Sequence, residues 1–118
     1  MRLANCDISD DKAIESLGEG WVAEETLAIA LYCAIRHLDS VEDAIIASVN
    51  HSDDSDSTGS VCGNIMGAIY GYEHLKERNI FCRQGKKLED TLELADVILA
   101  IADDLFTSCI ISEYDPID

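Results

Sequence analysis

Apolar residues recur along most of this chain at the three- and four-residue spacing of α-helices. No segment alternates apolar and polar residues in the way that a half-buried β-strand does. The spacing predicts a short helix that ends at Leu17 and further helices over residues 21–38, 41–50, 58–74 and 88–106. The sequence therefore predicts an all-α protein of four or five helices, packed as a compact orthogonal bundle in a single domain over residues 1–118.

The predicted helix over residues 21–38 has the most distinctive composition. Its middle, Leu27–Ile35, is a run of nine apolar residues, and a helix that is apolar on every side is usually buried. Glu24 and Glu25 lie in its first turn, where acidic side chains interact favourably with the helix dipole. Trp21, at its start, is predicted to be a core aromatic residue. Ser40 is predicted to be the N-cap of the next helix.

The charge and the cysteine content narrow the class of partner. The chain carries 24 acidic and 8 basic residues, a net charge of −16, which argues against binding to the phosphates of a nucleic acid. The longest apolar run is too short to cross a membrane. The five cysteines are widely spaced and contain no Cys-x-x-Cys pair, so we expect reduced thiols in a cytoplasmic protein. We therefore expect neither a nucleic-acid partner nor a membrane.

Residues 51–57, His-Ser-Asp-Asp-Ser-Asp-Ser, are predicted to form an acidic loop. Asp53, Asp54 and Asp56 are flanked by serine hydroxyls, and these hard oxygen donors suit Mg²⁺, Ca²⁺ or Mn²⁺. In the helix that follows, glycine recurs at every fourth position, which puts the glycines on one face; they are Gly59, Gly63, Gly67 and Gly71. Because glycine weakens an exposed helix by roughly 1 kcal/mol relative to alanine, this stripe indicates close approach of a ligand or another helix, with helix packing favoured.

Two known loop patterns match the acidic loop only in part. Asp54, Asp56 and Gly59 fit an EF-hand calcium loop, but Ile65 stands where the closing glutamate is required. Asp54, Asp56 and Thr58 match the nucleophile loop of the haloacid dehalogenase-like phosphatases. That loop follows a buried parallel strand, and the residues before Asp54 do not form one. The first pattern fails, and the second is disfavoured.

A third pattern matches much more of the chain. The acidic loop and its glycine-rich helix resemble the Gly-Gly-Asp-x-Asp-Thr/Ser-x-Gly motif of the ADP-ribosylglycohydrolase family. Upstream, Gly18–Glu25 reads Gly-Glu-Gly-Trp-Val-Ala-Glu-Glu, which is similar to a helix of bacterial members, and the pair Asn50-His51 also matches that group. The resemblance covers roughly Leu17–Gly71 with specific motifs and continues weakly through the last helix.

The resemblance implies an all-α fold that holds two Mg²⁺ ions in a cleft, where ADP-ribose is released from a modified protein side chain. It implies that Asp54 and Asp56 are metal-ligating carboxylates and that Ser57 supplies a hydroxyl ligand. Residues around them are candidates for contact with ADP-ribose, namely His51, Ser52, Asp53 and Gly59. At Asp53 the family usually has a second glycine, so this chain adds a carboxylate there. The sequence identifies no catalytic residue.

The resemblance covers only the C-terminal part of the family fold. Relatives are longer and carry an N-terminal Thr-Asp-Asp-Thr-like motif that supplies the second set of metal ligands, and this sequence has no counterpart. We therefore expect a truncated or split hydrolase with weak Mg²⁺ binding and little activity alone, which acts with a complementary N-terminal chain or self-associates. The alternative is a non-catalytic helical module that has kept the loop for structural or metal-binding reasons.

Overall fold

The computed structural model describes residues 2–80 and 82–114, and most of these residues are helical. The predicted all-α class is confirmed, with five helices of eight residues or more in the described part of the chain. Across the same residues, no helix has the length and apolar character that crossing a membrane requires. The chain divides into two compact units, and the division follows Ile80.

The first unit contains a short 3₁₀ helix, Leu3–Asn5, and five α-helices. The α-helices are α1 (Asp10–Leu17), α2 (Ala23–Arg36), α3 (Val41–Val49), α4 (Ser55–Tyr70) and α5 (Tyr72–Glu77). Helices α2, α3 and α4 pack against one another. Their facing sides form the core, and its large fully buried side chains include Ile29, Tyr32, Cys33, Cys62 and Met66.

Helix α2 begins at Ala23 rather than at Trp21, with the acidic first turn that the sequence predicts. The prediction that Trp21 is a core residue is wrong, because its side chain is 81% exposed in the turn before the helix. The run Leu27–Ile35 is buried on one side only, since both of its end residues are exposed. Ser40 caps α3 as predicted, and its Oγ accepts a hydrogen bond of 3.2 Å from the backbone N–H of Asp43.

Helix α4 begins at Ser55, three residues before the predicted start. The acidic loop is therefore only His51–Asp54, and Asp56 lies in the first turn of the helix. The serine-rich composition is typical of a loop, but an acidic side chain in the first turn of a helix is favourable because of the helix dipole. Gly71, with a φ of +81°, ends α4. The predicted helix over residues 58–74 is thus divided between α4 and α5.

The second unit contains a small hairpin and two helices. Strands β1 (Cys82–Arg83) and β2 (Lys86–Lys87) pair antiparallel, and α6 (Leu88–Thr91) and α7 (Ala95–Tyr114) follow. The hairpin lies between the predicted helices over residues 58–74 and 88–106. Its turn residues Gln84 and Gly85 both have positive φ, +51° and +75°, as a tight two-residue hairpin turn requires. The predicted helix over residues 88–106 is interrupted between α6 and α7, where Leu94 has a φ of +57°.

Candidate functional site

The acidic loop His51–Asp54 lies against the glycine-containing turn that precedes α2. The backbone N–H of Asp54 donates a hydrogen bond of 3.2 Å to the carbonyl oxygen of Glu19. Gly20 has a φ of +72°, and a methyl group at this position would lie 3.1 Å from Cγ2 of Thr58. Because glycine adopts this left-handed conformation without strain, the chain can turn closely over the start of α4. The two sequence motifs, separated by two helices, are therefore adjacent in the structure.

Asp54 occupies the N-cap position of α4, yet its carboxylate does not cap the helix. An N-cap aspartate ordinarily accepts a hydrogen bond from a backbone N–H in the first turn. The Asp54 carboxyl group instead lies within hydrogen-bonding reach of Asp56. That contact and the backbone N–H of Ser57, which donates to Asp56 Oδ1 at 3.0 Å, hold the pKa of Asp56 below its usual value. The start of α4 thus brings the carboxyl groups of Asp54 and Asp56 together, with the backbone N–H of Ser57 beside them.

Two open depressions in the surface meet at this carboxyl pair. One has a volume of about 510 Å³ and is lined in part by Glu19, Trp21, Asp54 and Asp56. The other has a volume of about 600 Å³ and is lined in part by Trp21, Asp54, Asp56 and Ser57. Both contain the exposed indole ring as well as both carboxyl groups. An aromatic face beside oxygen donors is suited to a ligand that has a planar ring and a polar part.

A third depression, of about 580 Å³, includes the remaining loop residues. His51, Ser52 and Asp53 line it together with acidic residues of α1, among them Asp11 and Glu15. Asp53 also lines the depression of about 510 Å³. Three of the four predicted substrate-contact residues therefore lie at one concave and strongly acidic surface, next to the carboxyl pair.

Gly59, the fourth of those residues, faces α3. A methyl group at Gly59 would lie 2.5 Å from Cγ1 of Val49, and one at Gly63 would lie 3.7 Å from Cδ1 of Ile45. At Gly67 the same group would meet no atom within 4 Å. Gly59 therefore allows α4 to pack closely on α3, whereas a methyl group would make an ordinary contact at Gly63 and no contact at Gly67.

A hydrogen-bond network beneath the loop was not predicted from the sequence. The side chain of Thr58 is fully buried, and its Oγ1 lies 2.5 Å from the carbonyl oxygen of Ser48 and 2.8 Å from Nε2 of His51. Nδ1 of His51 lies 3.3 Å from the backbone nitrogen of Asp53. The only signal in the sequence is that Thr58 stands four residues before the buried Cys62, on the same face of α4.

The donors at the start of α4 fit a hard divalent cation in their chemistry. Two carboxylates and one hydroxyl, from Asp54, Asp56 and Ser57, are ligands that Mg²⁺ accepts, and Mg²⁺ usually keeps several of its waters. Within the described ranges, no three His, Cys, Asp or Glu side chains are grouped as a metal site. If all three bound one Mg²⁺, they would supply about half of an octahedral shell, and water, substrate or other protein groups would complete it.

Known proteins resemble this chain over most of its length. A family model described as ADP-ribosylglycohydrolase matches residues 1–113. ADP-ribosylarginine hydrolase Tri1 of Serratia proteamaculans is 35% identical over 69 residues, which are 58% of this chain and 18% of that protein. ADP-ribosylhydrolase ARH3 is 29% identical over 80 residues in Mus musculus, covering 59% of this chain and 22% of that protein. The human ARH3 is 26% identical over 85 residues, which cover 64% of this chain and 23% of that protein.

No solved structure gives a significant match. The chain spans about a fifth of the length of the curated relatives that it matches. The family model nevertheless extends over nearly all of the chain, including the acidic loop and the turn before α2. The chain belongs to the ADP-ribosylglycohydrolase family.

Proposed function

We propose that this chain takes part in the magnesium-dependent hydrolysis of the glycosidic bond that links ADP-ribose to a modified protein side chain. The observation that supports this most directly is the pairing of the Asp54 and Asp56 carboxyl groups at the start of α4, where Asp54 leaves the helix uncapped. The relatives support the class of substrate, since the Serratia protein is named for ADP-ribosylarginine and the mouse protein is named an ADP-ribosylhydrolase.

The proposed roles follow from the position of each residue. Asp54, Asp56 and Ser57 would hold Mg²⁺, which supplies positive charge to offset the substrate phosphates and to orient the ribose hydroxyls. Trp21 offers an exposed aromatic face for the planar part of the ligand. The glycosidic bond breaks through a transition state with positive charge on the sugar ring, and the acidic side chains along the depressions stabilise that charge.

Ser52 and Asp53 are assigned to the side of the loop that contacts the substrate, because they line the third depression, and His51 lines it beside them. Gly59 is assigned to helix packing instead, because its open side faces Val49. The loop therefore has two surfaces in this proposal, one that carries the cation and one that contacts the substrate.

Further protein is proposed to complete the site. The first unit exposes large apolar side chains near the loop, including Val22, Leu27 and Val49, and exposed apolar surface of this kind favours association. We propose that a complementary N-terminal chain supplies the remaining metal ligands in the cytoplasm, with self-association as the alternative.

Calorimetric titration with Mg²⁺ and then with ADP-ribose tests the proposal. Asp56→Ala is expected to weaken Mg²⁺-dependent binding of ADP-ribose at least about 10-fold, as loss of groups at a metal site does. Asp39→Ala is the matched control, because Asp39 is also exposed and carries the same charge but lies outside the depressions. Equal weakening in both variants would show a general charge effect and would contradict the assignment of Asp56.

The second candidate function is a non-catalytic helical module. It is favoured by the absence, among the residues that the structure describes, of a group of three His, Cys, Asp or Glu side chains arranged for a metal. A wild-type chain that shows no Mg²⁺-dependent heat and releases no ADP-ribose from a modified arginine peptide, with or without a complementary chain, would support this second function over the first.

A further inference from the structure

We infer that His51 and Thr58 are positioning residues that hold the backbone of the acidic loop in place for the proposed site. Neither contacts the Asp54–Asp56 carboxyl pair through its side chain. Both belong to a continuous chain of hydrogen bonds that begins in the last turn of α3 and ends at Asp53. The role given to these two residues rests on the proposed function, but the hydrogen bonds that they make do not depend on it.

The direction of each hydrogen bond follows from its donors. The backbone N–H of Asp53 can only donate, so Nδ1 of His51, at 3.3 Å, must accept and carries no proton. In the neutral ring the proton is then on Nε2, which donates to Oγ1 of Thr58 at 2.8 Å. The single hydroxyl proton of Thr58 is donated to the carbonyl oxygen of Ser48 at 2.5 Å. The network therefore assigns one tautomer to His51 and uses both of its ring nitrogens.

This arrangement changes the role expected of His51. Although its ring lines the depression of about 580 Å³, both nitrogens are engaged by the protein, so neither is available to bind substrate or to transfer a proton. Thr58 also lies within 3.3 Å of the carbonyl oxygen of Asp54 and 3.1 Å of that of Ser55. The hydroxyl of Thr58 thus connects α3 to the ring of His51 and, through that ring, to the backbone of Asp53. The backbone N–H of Thr58 donates to the carbonyl oxygen of Asp54 at 3.4 Å.

Two variants of Thr58 test the inference. Thr58→Val keeps the shape of the side chain and removes the hydroxyl, whereas Thr58→Ser keeps the hydroxyl. In the wild type, long-range ¹H–¹⁵N correlation is expected to show the Nε2–H tautomer of His51. In Thr58→Val we expect loss of that tautomer preference and faster hydrogen exchange at the Asp53 amide. The Asp43 amide, which Ser40 caps, is the internal control and should be unchanged. Thr58→Ser should restore both signals.

The same variants are then titrated with Mg²⁺ and ADP-ribose. Thr58→Val is expected to weaken Mg²⁺-dependent binding about 10-fold, as loss of groups that orient metal ligands does, and Thr58→Ser is expected to bind as the wild type. An Nδ1–H tautomer in the wild type would overturn the inference, as would unchanged Asp53 exchange in Thr58→Val. If the wild type binds neither Mg²⁺ nor ADP-ribose, the proposed function fails. The tautomer of His51 and hydrogen exchange at the Asp53 amide still decide whether the network holds the loop.

Discussion

Replacement of Gly59 by alanine tests whether α3 and α4 are in close contact at Gly59. The added methyl group would lie 2.5 Å from Cγ1 of Val49, whereas carbon atoms in ordinary contact are about 3.5–4.0 Å apart. One of the two groups must therefore move by about 1 Å. Valine in a helix has one strongly preferred side-chain rotamer, so much of the movement falls on the helix backbones.

Two opposing effects determine the magnitude. Alanine favours a helix interior over glycine by about 1 kcal/mol, while overpacking of a close contact costs about 1–3 kcal/mol. Gly67 lies in the same helix, where an added methyl group meets no atom within 4 Å, so Gly67→Ala experiences only the first effect. We expect Gly67→Ala to stabilise the protein by about 1 kcal/mol and Gly59→Ala to be neutral or destabilising by up to about 2 kcal/mol.

Urea unfolding followed by far-ultraviolet circular dichroism measures both variants, with midpoints compared at an unchanged slope. The difference between the two variants, about 1–3 kcal/mol, isolates the cost of the contact. In a Val49→Ala background the contact is removed, and Gly59→Ala should then shift the midpoint in the same direction as Gly67→Ala. Equal shifts for Gly59→Ala and Gly67→Ala in the wild-type background would refute the reasoning.

Two further predictions concern ionisable side chains of the first unit. Burial pushes the pKa of Asp10 up, but hydrogen bonds, first among them the one from Tyr32 at 2.6 Å, outweigh burial and hold that pKa below its ordinary 3.8. The contacts of the ionised Asp10 therefore stabilise the fold above pH 3.8 and are lost as the pH falls through the lower folded value. Urea midpoints should show that the wild type is more stable than Asp10→Asn at neutral pH and that the difference in midpoint shrinks in acid. A difference that does not change with pH would contradict this. Burial raises the pKa of the Cys33 thiol to about 12 and also raises that of Cys62, so iodoacetamide should label the exposed Cys6 in the native state and these two only after unfolding. Mass spectrometry of the labelled peptides checks this, and native labelling of either buried thiol would count against it.

The parts of the fold that the sequence predicted are those that local rules determine. Apolar spacing located α1 to α4 because burial of one face repeats along each helix. Ser40 was predicted as an N-cap because its side chain accepts a hydrogen bond from a backbone N–H only three residues away. The motif around Gly20 was informative for a related reason, since its left-handed φ and its close contact with Thr58 require glycine.

The features that the sequence did not predict depend on neighbours distant in the chain. Trp21 is apolar and precedes an apolar helix, so periodicity alone assigns it to the core, although its side chain is exposed. The start of α4 at Ser55 was missed because serine and aspartate suit a loop and a first helical turn equally well. The role of Thr58 was missed with it, since its buried position follows only once α4 begins one turn earlier.

The N-cap residues of α3 and α4 differ in whether the side chain caps its helix. Ser40 accepts a hydrogen bond from the first turn of α3, and such a cap stabilises a helix by about 1 kcal/mol. Asp54 occupies the same position of α4 with a side chain equally suited to capping, but its carboxyl group is directed at Asp56 instead. This contact and the backbone N–H of Ser57 hold the pKa of Asp56 below its usual value, so Asp56 keeps its negative charge at the surface of the cleft. Because this exception gives up a cap and keeps an ionised carboxylate at the surface of a cleft, the cation proposed above supplies a physical reason for it.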